Sequence, residues 1–148
     1  MDKEEQMIKQ YIILRKDVQT VTGDPVSPAK LAVMASHASM AFLANMVINN
    51  EKDGSVAMMI NSDLKEWLTG IFTKILLQAK NLHAMEKIIQ RAEENGLVEG
   101  KDFFLIKDNC LTELVPDKDS DRCFIAIGFR PMAEEEIAPV VKKLQLYR

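Results

Sequence analysis

The chain is poor in the residues that build metal and redox centres. Its 148 residues include two cysteines, Cys110 and Cys123, and two histidines, His37 and His83. The cysteines form no Cys-x-x-Cys pair, and two histidines beside two scattered thiols do not make up a zinc set, so no metal site is expected. A reducing compartment is the simplest setting for such thiols. No Walker or dinucleotide motif is present, and Gly96 reads as a helix stop rather than part of a phosphate loop. No apolar run approaches the ~20 residues of a membrane helix, so no membrane contact is expected. The opening stretch MDKEEQMIKQ is charged and has no apolar core, so no secretory signal is expected. These absences together predict a cytoplasmic protein. Positive charge is not in excess either. The formal net charge is −3, so nucleic acid would have to be held by a local basic patch rather than by the overall field. There is no internal repeat and no low-complexity segment.

What remains is an ordinary globular composition, 47% hydrophobic and 28% charged, with enough chain for one core; a single domain over residues 1–148 is expected. Tyr11–Arg15 is a β-branched and aromatic run, read as a buried first strand. Ser27 is a suitable helix cap and Pro28 suits the first helical position. Leu31, Ala35, Ala38, Phe42 and Met46 then form one apolar stripe of a helix that frays near Asn49 and Asn50. Residues 50–62 read as a loop or insertion. A short helix over 63–68 faces inward through Leu64, Trp67 and Leu68. A strand over 73–79 follows. Asn81 caps a helix whose Met85, Ile88, Ile89 and Ala92 face the core. Residues 103–106 and 124–127 are strands, the second stopped by Gly128. Glu134, Glu135 and Glu136 suit the first turn of a last helix, which Pro139 either delays to about Ala138 or bends. The alternation predicts an α/β fold: a three-layer-like domain with a mixed four-stranded sheet flanked by helices.

Two constellations carry possible chemistry. Lys30 and His37 are seven residues apart on one predicted helix. Nearly two turns separate them, so both side chains leave the same side, ~10 Å apart along the axis. An amine there suits an anionic group and an imidazole suits proton transfer. The plain alternative is a surface lysine and a half-buried histidine with no joint task. Asp108 ends a strand, with Thr112 four residues on. Strand ends at a sheet edge are where α/β proteins bind ligands; the aspartate can orient an imidazole or a water, and the threonine hydroxyl can hydrogen-bond a substrate. The plain alternative is an Asx turn at Asp108. Cys110 and Cys123 read as small buried hydrophobes rather than catalytic thiols. His83 reads as a solvated residue.

These pieces resemble a known family. Tyr11–Arg15 with Lys16 and Asp17, then Lys30-Leu31-Ala32-Val33-Met34-Ala35-Ser36-His37-Ala38, are similar to the opening strand and first helix of the type 2, archaeal and eukaryotic, peptidyl-tRNA hydrolases. Phe72–Leu77 resembles that family's second strand. Leu105-Ile106-Lys107-Asp108 with Thr112, then Ile125–Gly128 and Glu134–Glu136, resemble its closing half. The resemblance spans roughly residues 8 to 147 and marks a divergent, bacterial-type member. It implies hydrolysis of the ester joining a peptide to the 3′ end of tRNA, with no metal or cofactor, tRNA or peptidyl-tRNA as partner, and a homodimer. It implies His37, Asp108 and Thr112 as catalytic residues and Lys30 as a substrate-binding residue; Lys74 and Lys107 are expected to join Lys30 in substrate binding, as a basic patch that would favour tRNA. The chain also departs from the pattern. The family's Gly-Lys-Gly-Lys-like lead-in is Ser27-Pro28-Ala29-Lys30, the glutamine before the histidine is Met34, and the arginine of its Asp-Ala-Gly-Arg-Thr loop is missing. A non-catalytic relative that binds a nucleotide, peptide or protein partner is the alternative reading, and a hydrolase of smaller esters or amides is a third.

Overall fold

The computed structural model describes residues 7–148. Residues 1–6, part of the charged opening stretch read above, lie outside the described residues. The elements in chain order are β1 (Ile8–Arg15), α1 (Pro28–Asn50), β2 (Glu51–Lys52), β3 (Ser55–Val56), α2 (Ser62–Thr69), β4 (Lys74–Ala79), α3 (Leu82–Glu94), β5 (Phe103–Asp108), β6 (Cys123–Phe129), β7 (Met132–Ala133), α4 (Glu134–Val141) and β8 (Gln145–Leu146). The expected α/β architecture is present. The sheet has six strands rather than four, in the order β5-β6-β1-β4-β8 with β7 paired to β1. The additional strands are two-residue pieces at its margins, too short to leave an alternating pattern in the sequence.

β1 is a nearly unbroken buried run because both faces of the sheet are covered. Tyr11 and Ile13 join Met85, Ile88, Ile137 and Val140 on the side of α3 and α4. Ile12 and Leu14 join Met34, Ala38 and Ile125 on the side of α1. Leu64 and Trp67 of α2 extend that second side together with Phe42. The layers are thus α1 and α2, the sheet, then α3 and α4. β1 pairs parallel with β4 and antiparallel with β6, which makes the sheet mixed.

α1 starts where the sequence predicts. The Ser27 side chain accepts the Lys30 N–H, and Pro28 occupies the first turn. Its buried stripe is Met34, Ala38 and Phe42, with Leu31, Ala35 and Met46 half-buried beside it. The sequence between Leu31 and Asn50 contains no Asp, Glu, Lys or Arg. By length and composition α1 is therefore apolar enough to cross a membrane, which corrects the expectation that no such segment exists. Serine, asparagine and histidine interrupt its apolar run, which is why it escapes a search for continuous hydrophobic residues. In the fold, one face of it lies on the sheet.

Three other readings change, and one open choice is decided. Residues 51–56 form a hairpin, β2 with β3, rather than a plain loop. Asp53 and Gly54 both have φ above 50°, the conformation of a tight two-residue hairpin turn. Leu68 is exposed rather than inward-facing. α4 begins at Glu134 and holds Pro139 within it; a proline there removes only one helical bond of a short helix packed through Ile137, Val140 and Val141. Finally, β6 does not stop at Gly128 but continues to Phe129. Gly128 serves close approach instead. A Cβ at this position would lie 1.9 Å from the Ala38 carbonyl oxygen, so α1 rests directly on the strand backbone. We expect Gly128→Ala to destabilise the protein by ~3 kcal/mol, the upper part of the overpacking range, because the obstacle is helix backbone that no rotamer change relieves. Urea unfolding measures this, and a loss under ~1 kcal/mol would contradict the close contact.

Candidate active site

The site follows from strand direction. β6 runs antiparallel to both β1 and β5, so β5 ends at the same edge of the sheet as β1. The chain leaving β1 at that edge turns back into α1, and this places the first turn of α1 over the end of β5. Lys30 and Asp108 meet there. Lys30 Nζ lies 2.7 Å from Asp108 Oδ1, with the two side chains 17% and 10% exposed. Asp108 Oδ2 accepts the Cys110 N–H at 2.9 Å. The Asx turn anticipated as the plain alternative is therefore present, and the ion pair is present with it. Cys110 carries φ of 59°, the left-handed backbone that folds the chain back over the strand end.

The segment after Cys110 is stitched to the rest of the edge. Leu111 and Thr112 are exposed at its tip. Glu113 reaches to the cap of α1, where its Oε1 accepts the Ser27 hydroxyl at 2.9 Å and its Oε2 accepts the Ser27 N–H at 3.1 Å. Leu114 is buried and bridges to Thr20. Asp117 accepts from Arg15 Nη1 at 2.7 Å and from the Phe124 N–H at 2.7 Å. Burial acts to lower the Arg15 pKa, but the carboxylates of Asp17 and Asp117 outweigh it and raise it, so this clamp stays charged. Glu113, Asp117 and Arg15 were not read as site residues from the sequence. Glu113 and Asp117 lie in a stretch without periodicity, and only the fold shows what they reach. The one available signal was the spacing of Arg15 and Asp17 at a strand end.

The other predicted residues are placed unequally. His37 is exposed on α1, two turns beyond Lys30. Helical side chains lean toward the N-terminus of their helix, so His37 leans back toward the ion pair. Lys107 alternates with Asp108 along β5. Ile106 packs on the α1 side and Leu105 on the α3 and α4 side, so Lys107 belongs to the face away from Asp108. Lys74 begins β4 and is level with Gln10, near the opposite end of the sheet. At ~3.3 Å per residue it lies roughly 20 Å along the strands from the Asp108 edge. Its ammonium sits 3.4 Å from the Phe72 ring centroid and 5.1 Å from that of Trp67, and burial lowers its pKa. Lys30, Lys74 and Lys107 thus do not come together as one basic patch.

Cys123 is buried opposite Asp108 in the β5–β6 register. Burial, then the Asp117 charge, pushes its thiol up to about 12. Burial and the nearby Asp108 and Asp117 also raise Cys110. Neither thiol is poised as a thiolate nucleophile at neutral pH. Among the described residues no cluster of three or more His, Cys, Asp and Glu is arranged to hold a metal ion. The edge therefore offers a clamped ammonium–carboxylate pair, an exposed hydroxyl and an imidazole on the neighbouring helix turns.

Two outcomes test this geometry. Lys30→Ala should destabilise the fold by ~1–3 kcal/mol, because it strands a mostly buried carboxylate. The double variant Lys30→Ala/Asp108→Ala should cost less than the sum of the two singles, by ~1–2 kcal/mol in a double-mutant cycle. Strict additivity would mean that the pair does not exist in solution. Separately, the thiol of Cys123 has a folded pKa above its ordinary value of 9.0. Its contribution to stability is complete below pH ~9 and is lost as pH rises toward about 12. Cys123→Ser should remove this part of the alkaline destabilisation, as read from denaturant midpoints across that window.

A family model described as peptidyl-tRNA hydrolase PTH2 matches residues 8–147. The matched span contains the whole sheet, the Lys30–Asp108 pair and the Glu113 clamp. The chain belongs to the peptidyl-tRNA hydrolase PTH2 family.

Proposed function

We propose that this chain hydrolyses the ester of peptidyl-tRNA, releasing the peptide and free tRNA, in the cytoplasm. The observation that carries the reading is the Lys30–Asp108 contact at 2.7 Å. It joins the two segments, far apart in sequence, on which the family resemblance rests. In this reading a water attacks the ester carbonyl. His37 and Asp108 act on that water as a pair, through a bridging water across the two helix turns that separate His37 from Lys30; the proton passes on to the ribose 3′ oxygen as the acyl–oxygen bond breaks, and Asp108 also orients Lys30. Lys30 lends its charge to the developing oxyanion or to the terminal phosphate, and Thr112 hydrogen-bonds the ribose end. Asp108 has both oxygens engaged, which suits orientation better than lone proton abstraction. Lys74 and Lys107 lie away from the ester and meet other segments of the tRNA.

Incubating the purified protein with peptidyl-tRNA and measuring free tRNA tests the reading. His37→Ala and Asp108→Asn should each lower turnover by ~10²–10⁴-fold with the fold intact. Lys30→Ala should also weaken substrate binding and flatten the salt dependence of binding by about one unit. With Lys74 and Lys107 placed away from Lys30, these three lysines should contribute only a shallow wild-type salt slope at this edge. A wild type that binds tRNA or a nucleotide without cleaving the ester would instead support the non-catalytic reading. Turnover unchanged in both His37→Ala and Asp108→Asn would remove these residues from the mechanism.

The exposed face of α1 supports a homodimer as the working form. Val47 and Ile48 are exposed at its far end, away from His37, on a stretch without charged residues. Light scattering should give twice the chain mass, and Ile48→Glu should return it to the monomer mass.

A further inference from the structure

Thr112 sits at an exposed tip, yet its neighbour is tied to the start of another element. Glu113 binds Ser27 twice, through the hydroxyl at 2.9 Å and the backbone N–H at 3.1 Å. The same Ser27 hydroxyl oxygen accepts the Lys30 N–H at 3.2 Å. One side chain therefore connects the residue after Thr112 to the turn that carries Lys30. α1 has no acidic residue of its own in its first turn. Glu113, reaching in from another segment, supplies the negative charge that a helix N-terminus favours. Backbone bonds brace it from behind: the Glu113 carbonyl accepts the Val21 N–H at 2.8 Å, and the Val115 N–H donates to Gln19 at 2.9 Å.

We propose that Glu113 is a positioning residue that sets Thr112 and Lys30 in register with Asp108, and that its charge also limits the affinity of this edge for anionic substrate. The proposal rests on the hydrolase reading for its catalytic part. Two separable roles follow from the chemistry. The hydrogen bonds need a side chain of this length with polar atoms at both ends of its fork. Glutamine meets that need: its oxygen accepts the Ser27 N–H, and its amide donates to the Ser27 hydroxyl oxygen. The charge, by contrast, is lost in glutamine. Around Lys30 stand two carboxylates, Asp108 directly and Glu113 through the cap. Removing the charge of one leaves the edge less repulsive to phosphate.

The test uses full-length Glu113→Ala and Glu113→Gln beside wild type. Glu113→Ala is expected to lower kcat on peptidyl-tRNA by ~10–10²-fold, the scale of a small misplacement of reacting groups. Glu113→Gln is expected to recover most of that kcat and to lower KM below the wild-type value, with a difference that shrinks as salt rises. A purely structural role would lower the thermal midpoint while leaving kcat and KM of the folded protein unchanged, and that result overturns the proposal. Hydrogen exchange gives a second readout that does not need activity. In Glu113→Ala, amides of residues 29–31 and 109–115 should exchange faster together, and in Glu113→Gln both should return toward wild type. Faster exchange confined to 109–115 overturns the clamp. Absence of cleavage by wild type itself would defeat the hydrolase reading and the catalytic role with it, whereas the exchange result decides the clamp on its own.

Discussion

Helix α1 rests on β6 at a position where the strand has no side chain. With a Cβ on Gly128 only 1.9 Å from the Ala38 carbonyl oxygen, the helix axis has no room to rise or slide without losing that contact. Everything at the carboxyl edge depends on this depth. Ala38 lies two turns below Lys30, so fixing the one fixes the height and phase of the other. Gln10 adds a second tie. Its buried amide donates to the Ser39 carbonyl at 2.7 Å and to the Phe129 carbonyl at 3.1 Å, while its oxygen accepts the Ser39 hydroxyl at 2.7 Å. Helix, β1 and β6 are thereby joined through a side chain with every polar group satisfied. The Lys30–Asp108 pair is what this rigid frame delivers at its upper end.

The electrostatics of that end are frugal. A phosphate-handling surface would ordinarily gather lysines and arginines, and here Lys74 and Lys107 stand elsewhere. Arg15, at the end of β1, is committed to Asp17 and Asp117. Its task is to hold the segment 109–122 down, and a residue so engaged is not free to grip a substrate. Lys30 is likewise engaged with Asp108 in the resting structure. In the proposed reaction substrate has to compete for its charge, which makes precise placement of the pair more consequential than the number of positive groups. The missing family arginine and lead-in lysine fit this picture of a site that relies on geometry more than on field.

Most of the architecture was legible in the sequence because it is written in local periodicity and capping. Ser27 and Asn81 each cap the helix that follows. Met85, Ile88 and Ala92 face the core as their spacing requires. What could not be read depends on partners distant in sequence. Gly128 looks like a stop until the helix backbone above it is known. β7 and β8 owe their existence to neighbouring strands rather than to their own residues. For the candidate site, the seven-residue spacing of Lys30 and His37 and the strand-end place of Asp108 were visible, and the structure brings Lys30 to Asp108. Lys74 and Lys107 were expected beside Lys30 as a basic patch, but neither the distance along a strand nor the face of a residue is evident from their places in the sequence. Glu113 and Asp117 gave no signal, since a carboxylate in an irregular loop reads as solvated until its donors are seen.

The central claim is that water attacks the acyl carbon of peptidyl-tRNA at the Lys30–Asp108 edge. A single-turnover reaction in ¹⁸O-enriched water measures this most directly. The account predicts one ¹⁸O atom in the carboxylate of the released peptide, none in the tRNA, and label appearing far more slowly with Asp108→Asn. Label in the tRNA, or incorporation into peptide at the same rate in Asp108→Asn as in wild type, would contradict it.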